Sequence, residues 1–185
     1  MSDFINPVRN SHMEFDRVYF WTDTVKDWKS IFHNDEYKSL IVSSMGELVR
    51  RGNLVVYGFV IMPNHLHLIW EMKEMNGKET PVASFNKFTS HSIAKKLKED
   101  NLNLAADFQV EESDRKVRIW KRDPLAVLMD TKKKVEQKLE YVHLNPLQNH
   151  WNLCSTPEEY VWSSAEFYAH GVDRFGFLTD YRDRF

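Results

Sequence analysis

The order of apolar patterns in this 185-residue chain predicts an α+β fold: an antiparallel sheet with helices packed on one face. Two observations carry the prediction. Segments rich in β-branched and aromatic residues alternate with segments of helical spacing, in the order strand, helix, strand, strand, helix, strand, helix. The central pair of strands is separated only by Met62-Pro63-Asn64, a turn too tight for anything but an antiparallel reversal or sharp corner.

Taken in order, Glu14–Thr24 (EFDRVYFWTDT) reads as the first strand. Trp28–Phe32 is a short connector. Asp35–Arg51 spaces Leu40, Ile41, Met45, Leu48 and Val49 along one helical face, with Asn34 or Asp35 as cap and Gly52 as stop. Asn53–Met72 (NLVVYGFVIMPNHLHLIWEM) holds the strand pair. A polar loop, Lys73–Thr80, leads to Pro81, which opens a second helix to Asp100 with Val82, Phe85, Phe88, Ile93 and Leu97 as its apolar positions. Residues 101–116 lack a period and read as a loop. Val117–Trp120 and Leu125–Met129 flank Asp123-Pro124, and at least one of them is expected to be a strand. Thr131–Leu144 (TKKKVEQKLEYVHL) is a third helix, with Val135, Leu139, Val142 and Leu144 as its buried stripe and Pro146 at or beyond the last turn. The arrangement is the ferredoxin-like βαββαβ sandwich with a C-terminal extension. Residues 1–12 read as a flexible arm or tag remnant, 13–150 as the domain, and 151–185 as an aromatic-rich tail packing on it.

Composition narrows the function classes. An aromatic content of 14% argues for a folded globule rather than a disordered chain. A net charge of −2 gives no global nucleic-acid signature, which leaves local patches to decide that question. The single cysteine, Cys154, excludes an intrachain disulfide framework and a multi-thiolate metal site, and it fits a reducing, cytoplasmic compartment. No apolar run approaches the length of a membrane span.

Two spacings carry chemistry. His65 and His67 are two apart on a strand, so both imidazoles share a face while Leu66 points the other way. Such a pair beside a turn can supply half of a divalent metal site, and it also fits a structural or solvent-facing role. Tyr141 and Asn145 are four apart and stack on one face of the third helix if that helix reaches Asn145. A phenol is a competent nucleophile and an amide oxygen can ligate a hard cation such as Mg2+ or Mn2+. His143, two residues from Tyr141 along the helix, projects elsewhere.

Together these segments resemble a known family. YGFVIMPNHLHLIWEM resembles the signature of the HUH endonuclease superfamily, in which two histidines flank a hydrophobic residue, and LEYVHLNPLQNHW resembles the tyrosine helix of its single-tyrosine transposases. RVYFWTDTVKDWKSIF, RIWKRDP and PEEYVWSSAEFY are similar to the flanking segments of the REP-associated tyrosine transposases, so the resemblance spans residues 15–170. In RIWKRDPLAVLMD the chain departs from the family, where a Gln often follows the Trp.

The resemblance implies a metal held by His65, His67 and Asn145, with Tyr141 as the nucleophile. It implies cleavage and rejoining of single-stranded or hairpin DNA through a 5′-phosphotyrosine with Mg2+ or Mn2+, by a monomer or homodimer. Phosphate contacts are then expected from Lys87, Lys95, Lys96, Arg118, Lys121 and Arg122, and base stacking from Trp151 or Trp162. Two rivals stand beside it: a ferredoxin-like module that binds single-stranded nucleic acid through exposed sheet aromatics, without cutting it and without need of Tyr141, and a hydrolase in which His65 and His67 hold zinc and water attacks.

Overall fold

The structure is a computed structural model that describes residues 12–112, 116–122 and 124–185. The expected arm over residues 1–12 therefore lies outside the described residues except for His12, and Asp123 lies outside them as well.

Four strands, β1 (Val18–Thr24), β2 (Leu54–Ile61), β3 (His65–Met72) and β4 (Leu125–Leu128), form one sheet in the order β2-β3-β1-β4. Every neighbouring pair is antiparallel. This is the strand order of the ferredoxin-like sandwich, as the sequence predicts. Of the two apolar runs near Pro124, the second becomes β4, while Val117 and Trp120 make only isolated bridges, to Gln109 and Val25.

The helices begin where the caps dictate. Asn34 accepts from the Glu36 amide at the start of α1 (Asp35–Arg50), Thr80 from Ala83 before α2 (Pro81–Asp100), and Thr131 from Lys134 before α4 (Lys132–Leu144). Two short helices, α3 (Leu102–Ala106) and α5 (Ala165–His170), lie in the segment read as a loop and in the tail.

The placement of the helices differs from the expected single layer. α1 and α2 cover one face of the sheet, where Ile41, Met45, Leu48, Phe85, Ile93 and Leu97 pack with Trp21, Phe59, Leu68 and Trp70. α4 and the C-terminal segment cover the other face, where Val135, Leu139, Val142 and Tyr160 pack with Val18, Phe20, Val60 and Ile69. Every residue of β3 is buried in consequence. Two residues expected in the core are not: Phe88 (52% exposed) and Leu144 (44%) face outward. Both lie on helices whose other positions already fill the space against the sheet.

Two details fix how α4 sits. The β2–β3 register slips between Val56 and Gly58, so Tyr57 is a bulge residue, and the slip brings both Val56 and Phe59 onto the α1–α2 face. At Gly58 the backbone meets α4 directly: a Cβ there would stand 2.4 Å from Leu139 Cδ2 and 3.3 Å from Ser164 Oγ. The tail is tied to the sheet by polar contacts. Tyr160 donates to the Ile61 carbonyl at 2.7 Å and Tyr168 to the Tyr57 carbonyl at 2.6 Å. Arg184 donates to the buried Glu71 at 3.1 Å, and Tyr57 donates to the same carboxylate at 2.7 Å.

Gly58→Ala is expected to lower unfolding stability by about 1–3 kcal/mol, because the added methyl overpacks the seam. Leu139→Ala alone is expected to cost about 2–5 kcal/mol. In urea titrations of the double variant the Gly58→Ala cost should shrink; equal costs in both backgrounds would show that Leu139 does not set the constraint.

Candidate active site

The α4 face of the sheet brings three of the four predicted residues into contact. β3 turns His65 and His67 to this face, their ring centroids 4.8 Å apart. Tyr141, on the exposed edge of α4 and 42% accessible, lays its ring 5.2 Å from that of His67, with its hydroxyl 3.5 Å from His67 Nε2. Phe20 of β1 stacks on His67 at 5.2 Å and meets the Tyr141 ring edge-on at 6.1 Å. The fourth residue, Asn145, follows the last residue of α4 but keeps helical torsions (φ −56°, ψ −45°), so the helical path continues to it. It is buried one turn beyond Tyr141.

Neighbours orient both imidazoles. His65 Nδ1 donates to Asn64 Oδ1 at 2.7 Å, and His67 Nδ1 meets Thr22 Oγ1 at 2.8 Å. Because Asn64 Oδ1 can only accept, the His65 proton sits on Nδ1 and its Nε2 keeps a lone pair for a ligand; at His67 the Thr22 hydroxyl can accept from Nδ1 in the same way, with Nε2 then turned toward the Tyr141 hydroxyl. Burial reinforces it. Desolvation, aided by His150, pulls the His65 pKa down to about 4. Desolvation, with His65 and Lys138 adding repulsion, pulls His67 well below its ordinary value. Both rings are thus neutral near pH 7.

Among the described residues no three His, Cys, Asp or Glu side chains gather as a metal cluster. A divalent cation at the histidine pair would need a neutral third ligand, and the amide of Asn145 is the side chain of that kind which the fold puts on the same helix as Tyr141. Two imidazole nitrogens with one amide oxygen form a mixed donor set of a kind that a divalent ion such as Mn2+ can accept, whereas Mg2+ favours oxygen ligands and would draw on water or phosphate for the rest of its shell. Lys138, one turn before Tyr141, holds its ammonium 5.2 Å from the Tyr141 ring and 4.6 Å from that of Phe20, and burial lowers its pKa. The sequence reading passed over Lys138, although its i−3 spacing from Tyr141 was available.

The other predicted residues divide. Lys87, Arg118, Lys121 and Arg122 line one groove of about 600 Å³ between α2 and residues 116–122, together with the buried Asp23. Much of this charge is already paired: Lys87 with Glu79 at 2.7 Å, Arg122 with Glu112 at 3.0 Å, and Arg118 with Glu112. Lys96 pairs with Asp100 at 2.8 Å and with Glu36, and Lys95 is exposed outside the groove. Trp151 stands 5.9 Å from the His65 ring, whereas Trp162 packs against Phe175 and serves the core. His143 takes its structural role, with Nε2 2.9 Å from Ser164 Oγ.

Asp23 follows the β1 alternation onto the α1–α2 face, where desolvation lifts its pKa to about 8. Its Oδ1 accepts from the Thr24 amide at 3.1 Å, while Oδ2 has no partner among the described residues.

Comparison with protein-family models and with curated proteins gives no match. Among solved structures the chain is similar to one described as the REP-associated tyrosine transposase bound to a REP hairpin. The likeness covers 94% of this chain and 93% of that one, with a TM-score of 0.60 and 14% sequence identity. The class defined at this level is a fold: a mixed α+β chain sharing the ferredoxin-like architecture of that transposase. Among the described residues no helix is long and apolar enough to cross a membrane.

These shifts set a pH profile for stability. His65 and His143, each with a folded pKa of about 4, bind protons more readily when unfolded, so stability should fall as pH drops from about 6.5 toward 4. Asp23 has the opposite sign. Its carboxyl holds a proton in the fold up to about pH 8, so its contribution is lost as pH rises toward 8. Denaturant unfolding should therefore show a maximum near pH 6–7. Asp23→Asn is expected to flatten the alkaline limb; an unchanged limb would rule out Asp23 as its source.

Proposed function

We propose that this chain is a tyrosine endonuclease and strand transferase acting on single-stranded or hairpin DNA. The observation that supports the reading best is the contact of the Tyr141 hydroxyl with His67 Nε2 beside a neutral, oriented imidazole pair. The fold shared with a transposase whose structure is described as bound to a REP hairpin supports the nucleic-acid substrate.

Tyr141 stands on the edge of α4, where the residue is 42% accessible and a phosphodiester arriving from solvent can reach it. His65, His67 and Asn145 would hold a divalent cation, Mg2+ or Mn2+, which when bound supplies Lewis-acid stabilisation of charge on the phosphoryl oxygens. The Tyr141 oxygen attacks phosphorus, the bond to the 3′ oxygen breaks, and the strand is left as a 5′-phosphotyrosine with a free 3′-hydroxyl. The phosphodiester energy is retained, so a second 3′-hydroxyl can reverse the step. His67 cannot take the phenolic proton while its Nε2 serves as a ligand, so that proton passes to solvent. Lys138 holds positive charge next to the Tyr141 ring, where it favours an arriving phosphate. Phe20 and the apolar layer beneath keep the imidazoles fixed and unprotonated.

A binding module without chemistry would not need an accessible phenol set against an imidazole pair. A hydrolase would cut without involving Tyr141. The three readings separate in one experiment. A labelled single-stranded hairpin oligonucleotide incubated with the protein and Mg2+ or Mn2+ is expected to become covalently attached. Tyr141→Phe should abolish the adduct while leaving DNA affinity within about twofold, since it removes one hydroxyl. Cleavage that survives Tyr141→Phe would instead establish the hydrolase, and binding without cleavage the passive module.

A further inference from the structure

Trp28 belongs to a segment that reads from the sequence as a mere connector, yet it is the one tryptophan of six whose ring stands in solvent, at 55% exposure. Its backbone is unusual. Asp27 and Trp28 both adopt left-handed torsions, with φ of 55° and 56°. A bulky residue pays a steric penalty there that glycine or asparagine would avoid, so a turn alone does not account for a tryptophan at this position.

The loop is fastened to the turn that carries the histidine pair. The Val25 amide donates to the Asn64 carbonyl at 2.9 Å, and the Phe32 amide to the Pro63 carbonyl at 2.9 Å. Asn64 Nδ2 donates to the Trp28 carbonyl at 3.3 Å, while the oxygen of the same amide accepts from His65 Nδ1. A single side chain thus links Trp28 to His65. On its other side, the Lys121 ammonium stands 5.3 Å from the Trp28 ring, and the Lys121 amide donates to the Thr24 carbonyl at 2.7 Å. Among the described residues Lys121 makes no ion pair, unlike Lys87, Lys96, Arg118 and Arg122.

We propose that Trp28 is a stacking platform for one unpaired base of a DNA strand entering the His65–His67–Tyr141 centre, with Lys121 beside it as the contact for that strand's phosphate. The inference rests on the DNA reading above and adds to it the place where the single-stranded part is gripped. An exposed indole stacks on any base, so this grip is tolerant of sequence, and the adjacent unpaired ammonium suits a phosphate oxygen. The loop's attachment through Asn64 holds the platform in register with His65, which makes Trp28 a positioning residue rather than a catalytic one.

The test uses the full chain carrying Tyr141→Phe, so that binding is read without turnover. The probe is a hairpin oligonucleotide with a single-stranded flank containing one 2-aminopurine, moved along the flank in a series; a blunt duplex is the control. Trp28→Gly suits the left-handed backbone and should leave thermal stability equal or higher. It is expected to raise the Kd for the flanked probe about five- to a hundredfold and to abolish 2-aminopurine quenching at one flank position, with little change for the duplex. Trp28→Phe should restore part of both signals. An unchanged Kd and quenching pattern in Trp28→Gly overturns the platform while the DNA reading stands, as does an equal loss on the blunt duplex. A parent chain that binds neither probe removes the DNA reading, and the platform with it.

Discussion

The central strand β3 is buried on both faces, and most of the molecule's chemistry follows from that. One face, through Leu66, Leu68 and Trp70, belongs to the layer under α1 and α2. The other presents His65 and His67 to α4, whose Val135, Leu139 and Val142 close the second layer. Two imidazoles in such a layer lose the hydration that would stabilise their charge, so desolvation is the leading cause of both depressed pKa values. Histidines that are neutral and directionally held are poor pH switches near neutrality but good ligands and good walls for a reaction centre. The burial that completes the fold also sets the protonation state of the site.

The seat of α4 is the second constraint. Gly58 lets this helix approach the sheet closely enough for Leu139 to occupy the space where any other residue would carry a Cβ. Tyr141 is two residues further along the helix, so the depth of that contact bears on the distance between phenol and imidazole. The C-terminal segment acts on the same seam: Tyr160 and Tyr168 donate to β2 carbonyls, and Ser164 Oγ touches both the Phe59 amide and His143. The tail is therefore part of what positions α4.

Electrostatics takes a different form from a basic patch. Most of the cations around the groove between α2 and residues 116–122 are held by Glu79 and Glu112. Any phosphate placed there would have to compete with these carboxylates, which would limit the gain from each contact. Two cations are held otherwise, Lys138 of the candidate site over Phe20 and Tyr141, and Lys121 of the groove over Trp28. Neither has to break an ion pair to meet a phosphate, and both stand against an aromatic face.

Much of the fold was legible before any coordinates. Asn34 or Asp35, Pro81, and Asp130 or Thr131 marked the starts of the three long helices, and the Pro63-Asn64 turn marked the antiparallel pair, because these signals are local and act within a few residues; that Thr80 caps the second helix came from the structure. The shared face of His65 and His67 followed from strand alternation alone. The single helical layer did not survive, although the unbroken apolar run of β2 was compatible with burial on both faces. Which side α4 takes, how closely Gly58 admits it, that Tyr141 meets His67, and that Trp28 is tied to His65 through Asn64 all depend on contacts between residues far apart in the chain. Local pattern determined the elements and the pairing of the imidazoles by strand period. Only the packing of α4 across the sheet decided that a phenol from one segment would face a histidine from another, because that encounter is set by the volume and reach of the side chains between them.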